Sequence, residues 1–286
     1  MLLQSYRNTK QGGFTLIELS IVMVIIGLIV GGILVGQDLI QAAAVRAQIT
    51  QLEKFNRAVN TFRVKYNALP GDMDSSTATT FGFSTARGGS GQGDSNGVLD
   101  GGATDTIAHK LQQGQGETGM FWVDLSSPVA GGLIDGSFIT ATEAGTTTAS
   151  STQIANYMPA AKVGANAYIY VYEYNQTASV GIAGLSGNYF GLATVNSITS
   201  GQMSTSSSTL TVRQAYNMDA KIDDGLPFSG TVISYYISGA NLINSPYTSG
   251  ACNSSTCIDF TTTPMSYCVG YRSGSSTTCA LSFKFQ

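Results

Sequence analysis

The chain has 286 residues, enough for one large domain or two small ones, and charged residues make up only 11% of it. Soluble domains average roughly 25% charged residues, so we expect a surface rich in hydroxyl and amide groups. The formal net charge is −3 and no block of Lys or Arg follows residue 65, which argues against nucleic-acid binding through bulk charge.

An apolar run near the N-terminus predicts a membrane span. Residues 14–36 are apolar apart from Thr15, Glu18 and Ser20. As a helix, this segment is long enough to cross the roughly 30 Å hydrocarbon core of a bilayer. Arg7 and Lys10 precede it, so the positive-inside rule places residues 1–13 in the cytoplasm and the rest of the chain outside.

Two ordinary explanations of this segment leave some of its features unexplained. A cleaved secretory signal, cut near residues 42–44, would have an apolar core of only about 7–15 residues. A plain single-span anchor accounts for the length but not for Gly12, Gly13 or Glu18. A carboxylate inside hydrocarbon costs at least ~2.5 kcal/mol, so Glu18 requires a positively charged partner.

The stretch GGFTLIELS resembles the class III signal of the type IV pilin-like prepilins, which include type IV pilins and the pseudopilins of type II secretion. The resemblance rests on Gly13 before an aromatic residue, Glu18 five positions later, and the short basic leader. It implies that a prepilin peptidase cuts after Gly13 and methylates the new amino group of Phe14. It also implies that Glu18 pairs with the Phe14 amine of a neighbouring subunit during assembly.

One position departs from the family pattern. Many members have a proline about 22 residues into the mature chain, where this sequence has Val35. Four glycines lie around that position, and each lowers helix propensity by about 1 kcal/mol while allowing close helix–helix approach. These are Gly27, Gly31, Gly32 and Gly36. The missing proline leaves the subfamily open.

Beyond residue 37 the pattern becomes amphipathic and predicts that the same helix continues. Apolar residues recur every three or four positions, at Val45, Ile49, Leu52, Phe55, Val59, Phe62 and Tyr66. Pro70 and Gly71 end this pattern. We therefore predict one helix over residues 14–67, with a membrane-spanning half (14–36) and an amphipathic half (37–67). The second half is expected to pack on a globular head of residues 68–286.

The head is predicted to be of the α+β class, with an antiparallel sheet lying on the outer half of the long helix. Strand patterns occur in AYIYVYEY, NYFGLATV, TVISYYI, MSYCVGY and CALSFKF, and helical patterns cover residues 117–125 and 211–222. The first strand places its four tyrosines on one face. We expect the long helix to cover that tyrosine face.

Metal and catalytic candidates in the head are weak. Asp94, Asn96 and Asp100 loosely resemble an oxygen-ligand calcium loop, but the glutamate that closes an EF-hand is absent, which favours a solvated turn. No cofactor is therefore predicted, although calcium stays open. His109 is the only histidine and no nucleophile motif accompanies it, so we do not expect an enzyme.

Three acids end the second helical pattern of the head. Asp219 and Asp223 share a helix face and Asp224 adjoins them. General acid–base chemistry or a metal is conceivable there. Acids beside a turn are more typical of capping or solvation.

All four cysteines fall in the last 35 residues, at positions 252, 257, 268 and 279. The spacing does not match the close pairs of a zinc site and predicts two disulfides, hence an oxidising compartment. We favour Cys252–Cys257 and Cys268–Cys279, because the turn-like RSGSSTT would place the second pair across a hairpin. The nested pairing stays open.

These features predict a structural filament subunit, minor or specialised, of a type IV pilus or a type II secretion pseudopilus. Its partners would be other copies and other pilin-like subunits, prepilin peptidase and an inner-membrane assembly platform. It would reside in the bacterial inner membrane before assembly and then in a periplasmic or cell-surface filament. The alternative is a membrane-anchored extracytoplasmic binding or adhesion protein that does not polymerise.

Overall fold

The computed structural model describes residues 13–83, 93–99, 101, 116–139, 148–150, 152–164, 166–174, 186–199, 201–206, 209–238, 241–244, 251–274 and 277–285. The chain divides into two compact units, Met1–Ala43 and Ala44–Gln286. Four α-helices occur in the described chain: α1 (Leu16–Tyr66), α2 (Ser75–Phe81), α3 (Gly116–Ser126) and α4 (Val212–Ile222).

Helix α1 confirms the prediction of one long helix, beginning and ending close to the expected residues. In the first unit its apolar side chains are exposed, as at Leu16 (86%) and Met23 (73%). The helix is long and apolar enough to cross a membrane, by length and composition. In the second unit the predicted apolar stripe is buried, apart from Ile49, which is only half-buried. Its neighbour Gln48, which was not part of the predicted stripe, is fully buried.

The strands, in chain order, are β1 (Thr148–Ser150), β2 (Ala167–Tyr174), β3 (Gly187–Thr199), β4 (Gln202–Ser206), β5 (Leu210–Thr211), β6 (Val232–Ile233), β7 (Tyr235–Ser238), β8 (Asn241–Asn244), β9 (Ile258–Asp259), β10 (Ser266–Tyr267), β11 (Thr277–Cys279) and β12 (Leu281–Lys284). The main sheet is antiparallel and has six strands, and β3 is its hub because it pairs with β1, β2, β4 and β12. Strand β12 also pairs with β6. The remaining strands form the pairs β5–β11, β7–β8 and β9–β10.

The outer half of α1 packs on one face of this sheet. Phe55 of α1 lies 6.2 Å from Phe190 of β3, measured between ring centroids. Phe190 is directly opposite Val171 of β2 and Phe283 of β12, so these side chains share that face. Trp122 of α3 joins the same cluster, with its ring 4.9 Å from that of Phe55. The predicted α+β class is therefore confirmed.

Tyr168, Tyr170 and Tyr172 are buried on the opposite side of the sheet, so the prediction that the long helix covers the tyrosine face is wrong. Tyr170 accepts a hydrogen bond from the backbone N–H of Ile237 in β7 (3.0 Å), and Tyr172 donates one to the Ser282 hydroxyl (2.7 Å). Buried phenols need polar partners at their tips. Strand β7 offers backbone groups for this purpose, whereas the facing side of α1 is mainly apolar.

Two disulfides are present, but the favoured pairing is wrong. The structure joins Cys252 to Cys268 and Cys257 to Cys279, with Cα–Cα distances of 5.5 and 5.3 Å. The pairs therefore interleave, and they are not nested either. The expected hairpin across RSGSSTT does not form, because β10 pairs with β9 and β11 pairs with β5.

Candidate functional site: the N-terminal assembly segment

The candidate site is the start of α1, where Thr15 and Glu18 bond to each other. The Glu18 carboxylate oxygen Oε2 accepts hydrogen bonds from the Thr15 backbone N–H and from the Thr15 hydroxyl, both at 2.8 Å. The Glu18 N–H donates to the Thr15 hydroxyl oxygen at 3.3 Å. This reciprocal arrangement is a capping box, in which the residue before the helix and the third helical residue satisfy each other's backbone donors.

The capping box gives Glu18 a local role that the sequence analysis missed. Negative charge in the first turn of a helix is favourable because it opposes the positive end of the helix dipole. The signal was visible as a Thr followed three residues later by a Glu, directly before an apolar run. Thr15 therefore belongs to the site together with Glu18.

Gly13 and Phe14 lie immediately before the helix and are exposed. The Phe14 side chain is 84% exposed. A Cβ placed on Gly13 would meet nothing within 4 Å, so the local fold has no steric need for glycine at this position. An exposed, non-helical peptide bond with a bare glycine before it suits recognition by another protein. The leader residues Arg7 and Lys10 lie outside the described residues.

The four glycines of the apolar half also face open space. Added Cβ atoms at these positions would meet nothing within 4 Å. They form two consecutive G-x-x-x-G patterns, Gly27 to Gly31 and Gly32 to Gly36. Such patterns let helix backbones approach closely inside a membrane.

Comparison with known families bears on this segment. Residues 8–34 match the family model of the prokaryotic N-terminal methylation motif. This match and the long apolar helix fit the N-terminal signal of a type IV pilin-like prepilin. The matched residues span the end of the leader, the capping box and most of the exposed apolar half of α1, and they exclude the head. No curated protein and no solved structure matches the chain.

Of the three weak calcium candidates in the head, the structure places only Asp94 in a group of acids, and its acidic neighbours are not those that the sequence suggested. Asp94 accepts hydrogen bonds from the backbone and side-chain nitrogens of Asn96, while Asp100 lies outside the described residues. The carboxylates of Asp72, Asp94 and Glu117 offer oxygens within 4.8 Å of one another. These three acids could hold a cation, and the sequence analysis had not connected Asp72 or Glu117 with Asp94.

Asp72 illustrates the electrostatics of that cluster. The pKa of Asp72 is raised to about 6, mainly because the carboxyl group is buried; the charge of Asp94 adds to the rise, and hydrogen bonds from the backbone N–H groups of Gly97 and Asn96 oppose it. The backbone carbonyl and the carboxylate of Asp72 together accept hydrogen bonds from the backbone N–H groups of residues 95–97. The arrangement serves at least to hold that loop against the end of α1.

The second acidic group fixes the loop after α4. Fully buried Asp219 accepts hydrogen bonds from the Tyr267 hydroxyl (2.7 Å) and the Gly225 N–H (3.0 Å). Burial raises its pKa to about 7. Asp223 accepts from the backbone N–H groups of Thr231 and Val232. Each of these oxygens already has a structural donor, which suits loop anchoring better than acid–base chemistry. His109 lies outside the described residues.

Proposed function

We propose that the chain is a structural subunit, minor or specialised, of a type IV pilus or a type II secretion pseudopilus. The observation that carries this proposal is the capped segment Gly13-Phe14-Thr15 with Glu18, directly before an exposed apolar helix inside the matched methylation motif. Prepilin peptidase would cut after Gly13 and methylate Phe14. The subunit would then leave the inner membrane by joining a periplasmic or cell-surface filament through the apolar half of α1.

The capping box supports separate roles for the two oxygens of the Glu18 carboxylate. Both bonds from Thr15 use Oε2, which leaves Oε1 available for the Phe14 ammonium of a neighbouring subunit. An ammonium and a carboxylate attract each other far more strongly among apolar helices than in water. Their pairing also offsets the cost of holding each charge away from water. The contact would thereby set the axial position of each subunit.

Other copies and other pilin-like subunits would be the partners of the two glycine pairs, which lie on different faces of α1 because each residue turns an α-helix by about 100°. Gly27, Gly31, Gly32 and Gly36 present bare backbone on a helix that, in a single chain, is otherwise fully exposed in this region. When such helices pack closely, the apolar surface that faces lipid in the unassembled subunit contacts neighbouring helices instead. An inner-membrane assembly platform would guide this transfer.

The test separates processing from assembly with Glu18→Ala, using Glu18→Asp as the matched control that keeps the charge. We expect both variants to begin with N-methylated Phe14 by mass spectrometry. Glu18→Ala should be absent from sheared or purified filaments, while Glu18→Asp retains part of the incorporation. Normal filament levels of Glu18→Ala would contradict the proposed pairing of Glu18 with the Phe14 ammonium of a neighbouring subunit. An intact leader in the wild-type chain would instead favour the anchored, non-polymerising binding protein.

A further inference from the structure

The exposed side of the outer half of α1 carries a row of basic residues. Each residue turns an α-helix by about 100°, so four cationic side chains fall within an arc of about 100° outside the buried stripe. All four are exposed: Arg46, Lys54, Arg57 and Lys65. Over the roughly 28 Å that they span, Glu53 is the only acid of the helix. We call these four residues the basic face.

Ion pairs within one copy engage only half of the basic face. Lys54 pairs with Asp135, and the Arg57 guanidinium lies 3.9 Å from the Glu53 carboxylate. The other two cations form no ion pair within the described residues. Their charges are therefore available to a partner outside the copy.

An acidic region lies beside the C-terminal end of the same helix. It consists of residues 69–83, 93–99 and 116–126. These three segments carry five acids and no Lys or Arg, namely Asp72, Asp74, Asp94, Glu117 and Asp124. Asp94 is the exposed member of this group.

Close contacts hold the segments of the acidic region together. The Asp72 carboxylate accepts hydrogen bonds from the backbone N–H groups of Asn96 (3.2 Å) and Gly97 (3.0 Å). Oxygens of Asp72, Asp94 and Glu117 lie within 4.8 Å of one another. Like charges at this distance repel, so a cation placed beside the exposed carboxylate would stabilise the group.

Arg46 is too far from the acidic region of its own copy to pair with it. The rings of Phe62 and Tyr66 lie 5.5 and 5.0 Å from the Phe83 ring, which places the segment 69–83 beside the last turns of α1. Arg46 lies 16 residues before Phe62, or about 24 Å along the helix axis. That distance exceeds the reach of a side chain, so an acidic partner for Arg46 from this region must belong to another molecule.

A second copy of the chain supplies a partner of the right charge. Residues 67–286 carry fourteen acids and seven basic residues, so the head of another copy attracts a basic helix face. The basic face and the acidic region are different surfaces, and a contact between them is heterologous. Heterologous contacts repeat from copy to copy and build open helical arrays unless they close into a ring.

We propose that the basic face of one copy docks on the acidic region of a second copy, with Arg46 beside Asp94. Complementary charges of this kind select the orientation of the partner more than they add affinity. The inference deepens the proposed function and rests on it in one respect, because a repeating contact has a use only in an assembled array.

The first test cross-links the full-length chain in neutral maltoside micelles with a carbodiimide, which joins a carboxylate to an amine. Arg46→Lys supplies the amine and keeps the charge. Mixing ordinary and isotopically heavy chains in equal amounts identifies bonds between copies by mass spectrometry. We expect mixed peptides that join residue 46 to Asp94, and their loss in 1 M salt, where charges are screened beyond about 3 Å. Absence of these mixed peptides at low salt would overturn the proposal.

The second test exchanges the two charges. Arg46→Glu and Asp94→Arg should each weaken self-association by about tenfold, and the chain with both changes should recover most of it, because opposite charges face each other again. Sedimentation of the full-length chain in density-matched micelles measures the association, and circular dichroism checks the fold. Arg213→Glu, an exposed change on α4 outside both surfaces, should have no effect. A double variant that associates no more tightly than the single variants would contradict the pairing.

Neither readout requires filaments, so this inference and the proposed function can fail separately. Pairing of residues 46 and 94 in micelles, together with absence of the processed chain from filaments, would contradict the proposed function alone. Normal filament levels of Arg46→Glu, together with no mixed peptides in micelles, would contradict this inference alone.

Discussion

The two compact units differ in how far apart along the chain their decisive contacts lie. At the N-terminus, Thr15 and Glu18 are separated by 3 positions. In the head, Tyr170 bonds to Ile237 across 67 positions and Tyr172 to Ser282 across 110. Short-range contacts leave the rest of the molecule undisturbed when they change. We therefore expect substitutions in the first unit to alter recognition, and substitutions in the head to alter stability first.

Gly13→Leu should have the largest effect on recognition and none on the stability of the head. The proposed peptidase requires a bare glycine before the cut, so we expect complete loss of leader removal. Because a side chain at this position meets nothing within 4 Å, the melting temperature of the head should not change. Intact mass and calorimetry measure the two quantities. A shift in the melting temperature would contradict the independence of the two units.

Cys252→Ser should produce the largest loss of stability in the head. Its disulfide closes a separation of 16 residues, and a loop of that size is worth about 3 kcal/mol of unfolding free energy. Urea unfolding, followed by the fluorescence of Trp122, measures this loss. Alkylation without reduction should then label the residue at 268 and leave 257 and 279 unlabelled. Labelling of Cys257 would instead restore the pairing expected from sequence.

Gly191→Ala tests a close approach in the main sheet. Gly191 lies opposite Tyr170, and a Cβ added there would overlap the buried tyrosine ring. Overpacking of this kind typically costs about 1–3 kcal/mol of unfolding free energy. The matched control is Gly27→Ala, where an added methyl group meets nothing. Equal stability of the Gly191→Ala and wild-type heads would show that β7 can move away from the tyrosine face.

Thr15→Val should weaken the cap of α1 while leaving the head unchanged. Loss of a capping side chain costs about 1 kcal/mol of helix stability. Thr15→Ser retains the hydroxyl and serves as the control. We expect leader removal in both variants and reduced filament incorporation only in Thr15→Val, measured by quantitative immunoblotting of filaments. Equal incorporation of the two variants would show that the Thr15 hydroxyl is not needed for filament assembly.

The smallest effect concerns pH. Burial raises the pKa of Asp219 to about 7, above the 3.8 of an ordinary aspartate, so the folded head binds more protons than the unfolded chain between these values. The contribution of this group to stability is therefore full below about pH 4 and declines as the pH rises toward 7. Asp219→Asn should flatten the slope of unfolding free energy against pH. An unchanged slope would show that Asp219 does not titrate in this range.

Features that depend on short-range contacts could be predicted from the sequence, whereas features that depend on long-range contacts could not. The long helix was predictable because its apolar stripe repeats within each turn, and the strand AYIYVYEY because alternation is local. The cover of the tyrosine face was not, since both faces of β2 are buried and alternation does not say which element meets which face. The cysteine pairing failed for a similar reason: β10 and β11 pair with distant β9 and β5 rather than with each other.

Within the N-terminal site, the prediction omitted Thr15, and the roles expected of Gly13, Phe14 and Glu18 stay predictions. Glu18 was assigned to a neighbouring subunit, and this explanation hid its bonds to Thr15. A residue with an intermolecular role can also have a local one. The same caution applies to Asp94, whose neighbours Asp72 and Glu117 come from other parts of the chain.

The interleaved disulfides also have a mechanical meaning. The shortest covalent path from Cys252 to Cys279 follows the backbone to Cys257 and then crosses the disulfide, bypassing residues 258–278. If tension is applied along the chain, this region can lengthen very little, because the bypassed segment carries no load. Strand β12, which starts two positions after Cys279, is thus tethered close to Cys252 even if its hydrogen bonds to β3 and β6 are broken. A chain pulled in this way would keep β12 close to β3 and β6, so the main sheet could form again when the tension ends.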